Sequence, residues 1–150
     1  MKQNITRILP VLLLAALLLP LGQALAGEKV HNVVLQVNDN DPARMNLVLN
    51  NAANLNAYYQ DKGEPIEIEI VAYGPGLMML RADKSPVKER VLSFSDNFDN
   101  VTFNACGNTH AKMSKKAGKE IELVSNAVMV PAGVVHIMER QEEGWSYVKP

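Results

Sequence analysis

Cys106 is the only cysteine in the 150-residue chain. A single thiol excludes an intramolecular disulfide and a cysteine-rich metal cluster, and leaves nucleophilic or redox chemistry by the thiolate. Cys106 closes the run VTFNAC and is followed by Gly107-Asn108-Thr109, a segment that opens a helix by pattern. A helix start presents free N–H groups and a partial positive charge, both of which favour a thiolate. Gly107 leaves room for backbone amides to approach an anionic or persulfide sulfur. The competing reading is a buried structural cysteine, because free cysteines are among the most buried residues. His110, four residues on, lies one helical turn away and is weighed as a thiolate stabiliser, with a surface helix histidine as the plainer reading.

The other polar candidates sit in two further segments. Asn38 and Asp39 belong to an Asn/Asp cluster after a β-branched run, where Asp39 would position a substrate or act as a base, although turn formation explains the same residues. Gly74 and Gly76 flank Pro75 after a second apolar run; the pattern lacks the lysine and spacing of a phosphate loop. His31, His110 and His136 are too dispersed for a metal site. His31 falls at the opposite end of its strand, and His136 has no evident partner. Met78 and Met79 are read as core filling rather than soft-metal ligands. Lys112, Lys115, Lys116 and Lys119 read as a solvated helix face that could dock an acidic partner or raise the potential near the thiol. No cofactor is expected.

These residues need elements to position them. Val30–Val37 reads as a covered strand. Asp41 caps a helix with Pro42 at its first position, running over 43–60 and stopping at Gly63. Residues 65–73 alternate as PIEIEIVAY and predict a second strand whose first half has a polar face or lies near an edge. A helical turn over 77–81, a helix from Ser85-Pro86 through about Asp96, and a strand over 101–105 follow. Asn108 or Thr109 would cap the next helix, which stops at Gly118. Residues 121–130 hold a short strand at either 121–124 or 128–130. A helix over 134–141 and a strand over 145–148 close the chain. Strand–helix alternation of this kind predicts an α/β fold with a mainly parallel sheet and helices on both faces. Ligands of such sheets sit outside the carboxyl ends of the strands. The segments after the first three strands, which carry Asn38-Asp39, Gly74-Pro75-Gly76 and Cys106-Gly107-Asn108-Thr109, are therefore expected on one rim.

The N-terminus reads as an address. Lys2 and Arg7 precede an uncharged Leu/Ala-rich stretch, and Ala24-Leu25-Ala26 is a small-x-small cleavage pattern, so residues 1–26 are expected to be a secretory signal peptide cut after Ala26. The apolar stretch is shorter than the roughly 20 residues of a spanning helix. Residues 27–150 then form one domain of 124 residues with 13 basic and 16 acidic side chains, a net charge of −3. That balance gives no footprint for nucleic acid. The expected location is the periplasm, with no membrane association after cleavage.

The segments VNDNDPARMNLVLNNAANL, IEIVAYGPGLMMLRAD, SPVKERV, VTFNACGNT and VPAGVVHIMERQEEGWSYVKP together resemble the DsrE/DsrF-like family, closest to its exported branch, over essentially the whole of 27–150. The resemblance implies a three-layer α/β/α fold with a five-stranded parallel sheet and assembly as a homo-oligomer, a trimer or hexamer. It implies that a cysteine after a central strand carries a persulfide, a role that falls on Cys106. The export signal departs from the family's cytoplasmic relay. The resulting expectation is a periplasmic sulfur carrier, at most sulfurtransferase-like, with Asn38, Asp39, Gly74, Gly76, Gly107, Asn108 and Thr109 forming the site around Cys106. Its partners would be sulfur donor and acceptor proteins or small sulfur species. The alternatives are a non-catalytic binding or assembly protein on the same fold, and a thiol redox sensor.

Overall fold

The computed structural model describes residues 29–150; the signal-peptide expectation falls on residues outside that range. Among the described residues no helix is long and apolar enough to cross a membrane.

The strands are β1 (His31–Val37), β2 (Ile66–Ala72), β3 (Val101–Cys106), β4 (Ala127–Val130) and β5 (Ser146–Val148). They form one sheet in the order β4-β3-β2-β1-β5, and every pairing is parallel. The helices are α1 (Pro42–Lys62), α2 (Lys88–Asn97), α3 (Gly107–Ala117) and α4 (Gly133–Glu142), with a 3-10 helix at Gly74–Leu80. The fold is therefore α/β, with helices on both faces of a five-stranded parallel sheet.

Local chemistry sets the elements. Asp41 caps α1 by accepting the Ala43 N–H at 2.9 Å, Pro42 occupies the first turn, and Gly63 ends the helix in the left-handed region at φ 67°. Only glycine adopts that conformation without strain. At α3 the expected cap is corrected. Cys106 itself is the N-cap residue, and Asn108 and Thr109 lie inside the first turn. Of the two places offered for the fourth strand, the later one forms the ladder, whereas Leu123 makes only an isolated bridge to Arg81.

The two sheet faces differ. Val33, Leu35 and Val37 of β1 join Ile66, Ile68 and Ile70 of β2 and Phe103 of β3 under α1 and α2 in the main core. The opposite face is covered by α4, where Val34, Val71 and Ile137 make a small second cluster with Tyr73 and Trp145 packed against it. α4 makes the return from the β4 edge to β5 across this face.

β2 is the central strand, so an edge position for its first half is corrected; the polar face is what forms. Glu67 is exposed, and Glu69 is buried at 8% exposure. A buried carboxylate needs partners. Glu69 accepts from Arg140 Nε at 2.9 Å, from Asn104 Nδ2 at 3.0 Å and from His136 Nε2 at 2.5 Å. His136 thus has a partner after all, and through it α4 is tied to the middle of the sheet. The Glu69 and Glu143 carboxylates hold Arg140 above its ordinary acidity range.

Candidate functional site

Cys106 ends β3 at the carboxyl rim and is 5% exposed. Its side chain lies on the α4 side of the sheet, since a Cβ placed on Gly133 would stand 3.3 Å from the Cys106 Cβ. Two helix starts therefore converge on the sulfur: α3, which Cys106 precedes directly, and α4, whose first residue is Gly133.

Burial pushes the thiol up, but the opposing groups outweigh it. The Thr109 hydroxyl and the backbone N–H groups of Gly133, Thr109 and Asn108 face the sulfur, and the thiol is held below its ordinary value. A neutral thiol is a weak acceptor and makes no ordinary side-chain cap at α3. The donors act on the charged form, which accepts strongly. Thr109 is itself oriented. Its Oγ1 accepts the Gly74 N–H at 3.0 Å, which leaves the hydroxyl proton free to point at the sulfur.

The expected residues take distinct places. Thr109 and Gly74 meet at this hydrogen bond. Asn108 contributes its backbone: its N–H also reaches the Pro131 carbonyl at 3.2 Å, and its side chain is exposed. Gly107 is also confined on its other side. A Cβ there would stand 3.2 Å from the Val130 carbonyl and 3.3 Å from that of Pro131, so its role is to let α3 start against the β4–α4 segment. Gly76 packs closely against β1. A Cβ there would meet the Val37 carbonyl oxygen at 2.3 Å and the Asn38 Cα at 2.8 Å. Asn38 enters the same packing through its backbone. Asp39 is exposed and close enough to the Tyr73 phenol to act on it electrostatically. His110 is turned away from a thiolate role, because its Nε2 lies 2.8 Å from the Ile121 carbonyl oxygen. His31 is structural: it pairs with Glu64 at 2.9 Å and stacks on Tyr59. Among the described residues no group of His, Cys, Asp and Glu is arranged to hold a metal ion.

Two members of the site were missed from sequence. Gly133 supplies an amide to the sulfur and lies under Tyr73, whose Cβ would be 3.0 Å from a Cβ on Gly133. Tyr73 keeps its phenol proton through burial, reinforced by the nearby Tyr147, Asp39 and Cys106 charges. Both were findable by the rule that placed the others. Tyr73 follows the second strand, and Gly133 follows the fourth, whose post-strand segment lies on the same rim.

No family model and no curated protein matches the chain. Among solved structures, the chain is similar to a protein of unknown function, MTH1491, from Methanobacterium thermoautotrophicum. The match has a TM-score of 0.67 and 33% sequence identity, and it covers 80% of this chain and 99% of that one. At that identity over nearly the whole of the other protein, the chain belongs to the family of MTH1491.

Proposed function

We propose that the protein is a DsrE/DsrF-like sulfur carrier of the periplasm, in which Cys106 accepts a sulfane sulfur and passes it to a partner thiol. The observation that carries the reading is the convergence of the Thr109 hydroxyl and the Gly133, Thr109 and Asn108 amides on one sulfur. Such an arrangement raises the thiolate fraction and so the supply of nucleophile. In the loading step the thiolate attacks the terminal sulfur of a donor R–S–SH. The donor's S–S bond breaks, R–S⁻ leaves with the electron pair, and Cys106 holds –S–SH. Unloading repeats the exchange with an acceptor thiolate. A carrier fits better than a turnover enzyme. His110 is occupied by Ile121, and the chain has no second cysteine to resolve the persulfide.

Mass spectrometry after incubation with polysulfide or thiosulfate tests the reading. Wild type gains the mass of added sulfur and Cys106→Ser does not; equal gain by both rules it out. A second reading, a binding or assembly protein with an inert thiol, is favoured by the low exposure of Cys106. It predicts a thiol that alkylates only after unfolding.

Self-association belongs to the same proposal. Val134, Val135 and Met138 are half exposed along one side of α4, and Val128 is equally exposed on the β4 edge. Clustered apolar side chains of this size mark interaction surfaces, and the proposed occupant is a second copy of this chain.

A further inference from the structure

A cleft of about 490 Å³ opens at the carboxyl rim between α3 and the 3-10 helix. Its size is that of a small-molecule site. Pro75 and Met78 line one side and Met113 the other, so its walls are apolar. Lys112 and Lys116 line it from α3, Asn40 adds an amide, and no lining residue is acidic. Neither lysine is in an ion pair among the described residues. Lysines four apart on a helix repel by a few tenths of a kcal/mol. Lys116, in the last turn, is compensated by the helix dipole; Lys112 is not. An anion between them removes the repulsion.

Cys106 does not itself line the cleft; Thr109 stands between the cleft and the thiol. Thr109 lines the cleft and faces the Cys106 sulfur, and Gly74, which lines the cleft, orients the Thr109 hydroxyl. Length then selects the ligand. At about 1.5 Å per residue, Lys112 stands roughly 9 Å and Lys116 roughly 15 Å along α3 from Cys106. Lysine side chains on a helix lean back toward its start, which shortens these spans by several ångströms. A bare inorganic anion cannot reach the sulfur and both ammonium groups together.

We infer that this cleft binds the tail of the sulfur donor, and that the donor is a small organic persulfide carrying a carboxylate. The carboxylate sits between Lys112 and Lys116, the body lies against Met78 and Met113, and the –S–SH end reaches Cys106. The inference rests on the sulfur-carrier reading and names its substrate class. Loading is the exchange described above: the Cys106 thiolate bonds to the terminal sulfur, R–S⁻ departs with the electron pair, and the proton stays on the transferred sulfur.

The test compares two donors on the full mature chain. Glutathione persulfide carries carboxylates; N-acetylcysteamine persulfide carries none. Sulfur loading is followed by intact-protein mass spectrometry at rising donor concentration. Wild type prefers the carboxylate donor, and K112Q/K116Q lowers that preference roughly three- to tenfold, the loss of two solvent-exposed ion pairs. A preference unchanged in the variant, or absent in wild type, overturns the inference while sulfur carriage stands. A separate arm uses unreactive S-methylglutathione and the methyl resonances of Met78 and Met113. Those resonances shift in wild type and not in K112Q/K116Q. If they stay still in wild type the cleft assignment is wrong, whatever Cys106 does. If they shift but neither donor loads Cys106, sulfur carriage fails, and the donor assignment that depends on it fails too.

Discussion

Thr109→Val is the sharpest perturbation of the thiol, because it keeps the side-chain shape and removes one hydroxyl that does two jobs. That oxygen accepts the Gly74 N–H at 3.0 Å, which leaves its proton free to point at Cys106, whose thiol it helps to lower. A hydrogen bond to a charged group is worth about 1.5–3 kcal/mol. The remaining amides of Gly133, Thr109 and Asn108 tighten on the sulfur and recover part of it, so the lower end applies. At about 1.4 kcal/mol per tenfold, the thiolate-to-thiol ratio at fixed pH falls roughly tenfold. The Gly74 N–H loses its partner as well and, being only half buried, costs about 1 kcal/mol of stability.

The assay is the ultraviolet absorbance of the thiolate as a function of pH, which does not depend on reagent access to a sulfur that is 5% exposed. Wild type titrates below an ordinary cysteine, Thr109→Val titrates higher, and Thr109→Ser, which keeps the hydroxyl, stays near wild type. Stability follows the same group. A thiol more acidic in the folded chain than in the unfolded one is ionised first in the folded state, so the unfolded chain holds more protons between the two values. Stability therefore rises with pH across that window, is complete above the unfolded thiol's range, and is lost as pH falls through the folded one. Thr109→Val flattens the rise. If the titration does not move in Thr109→Val, or if Thr109→Ser moves as far, the hydroxyl is not what holds the thiolate.

Three further outcomes are expected. Gly76→Ala forces a Cβ to within 2.3 Å of the Val37 carbonyl oxygen, against backbone that cannot rotate away; chemical denaturation should show at least about 3 kcal/mol lost, and a loss under 1 kcal/mol would mean that β1 and the 3-10 helix are not packed this closely. Glu69→Gln leaves Arg140 and His136 without their carboxylate, but with 29% and 15% of those side chains exposed the cost is nearer 2–3 than the 3–5 kcal/mol of a fully buried break, read as a shift in denaturant midpoint. Val135→Lys with Met138→Lys should turn an oligomer into monomer by light scattering, and a monomeric wild type refutes the proposed self-association.

Local signals were legible where a residue acts on its own neighbours. Asp41, Pro42 and Gly63 bound α1 through contacts within a turn; β1 was readable as an apolar run covered on both faces, and β2 from the alternation of isoleucine with glutamate. The rim was legible for the same reason: strand ends fix which loops meet. What stayed hidden depends on distant partners. Glu67 and Glu69 alternate identically, yet one is exposed and the other is buried against Asn104, His136 and Arg140, which lie 35, 67 and 71 residues away. The close approach of Gly76 to the backbone of Val37, and of Gly107 to those of Val130 and Pro131, shows only in the packed chain. Gly133 was within reach of the rim rule once the fourth strand was placed at 127–130, and that choice between two positions was what the sequence left open.

That path joins the ionic network to the thiol. α4 covers its face of the sheet with little apolar burial, since Ile137 is its one side chain in the small cluster with Val34 and Val71. The rest of its attachment is polar: His136 and Arg140 on Glu69, with Asn104 closing the carboxylate. Asn104 and Cys106 are two residues apart on β3 and so point to the same face. The helix anchored over Asn104 is the helix whose first amide faces the Cys106 sulfur. Its start is closely packed, because a Cβ on Gly133 would stand 3.0 Å from the Tyr73 Cβ and 3.3 Å from the Cys106 Cβ. An apolar anchor would tolerate small slides of α4; directed hydrogen bonds from an imidazole and a guanidinium to one carboxylate do not. The buried carboxylate that anchors α4 thus also helps to place the Gly133 amide beside the one thiol in the chain.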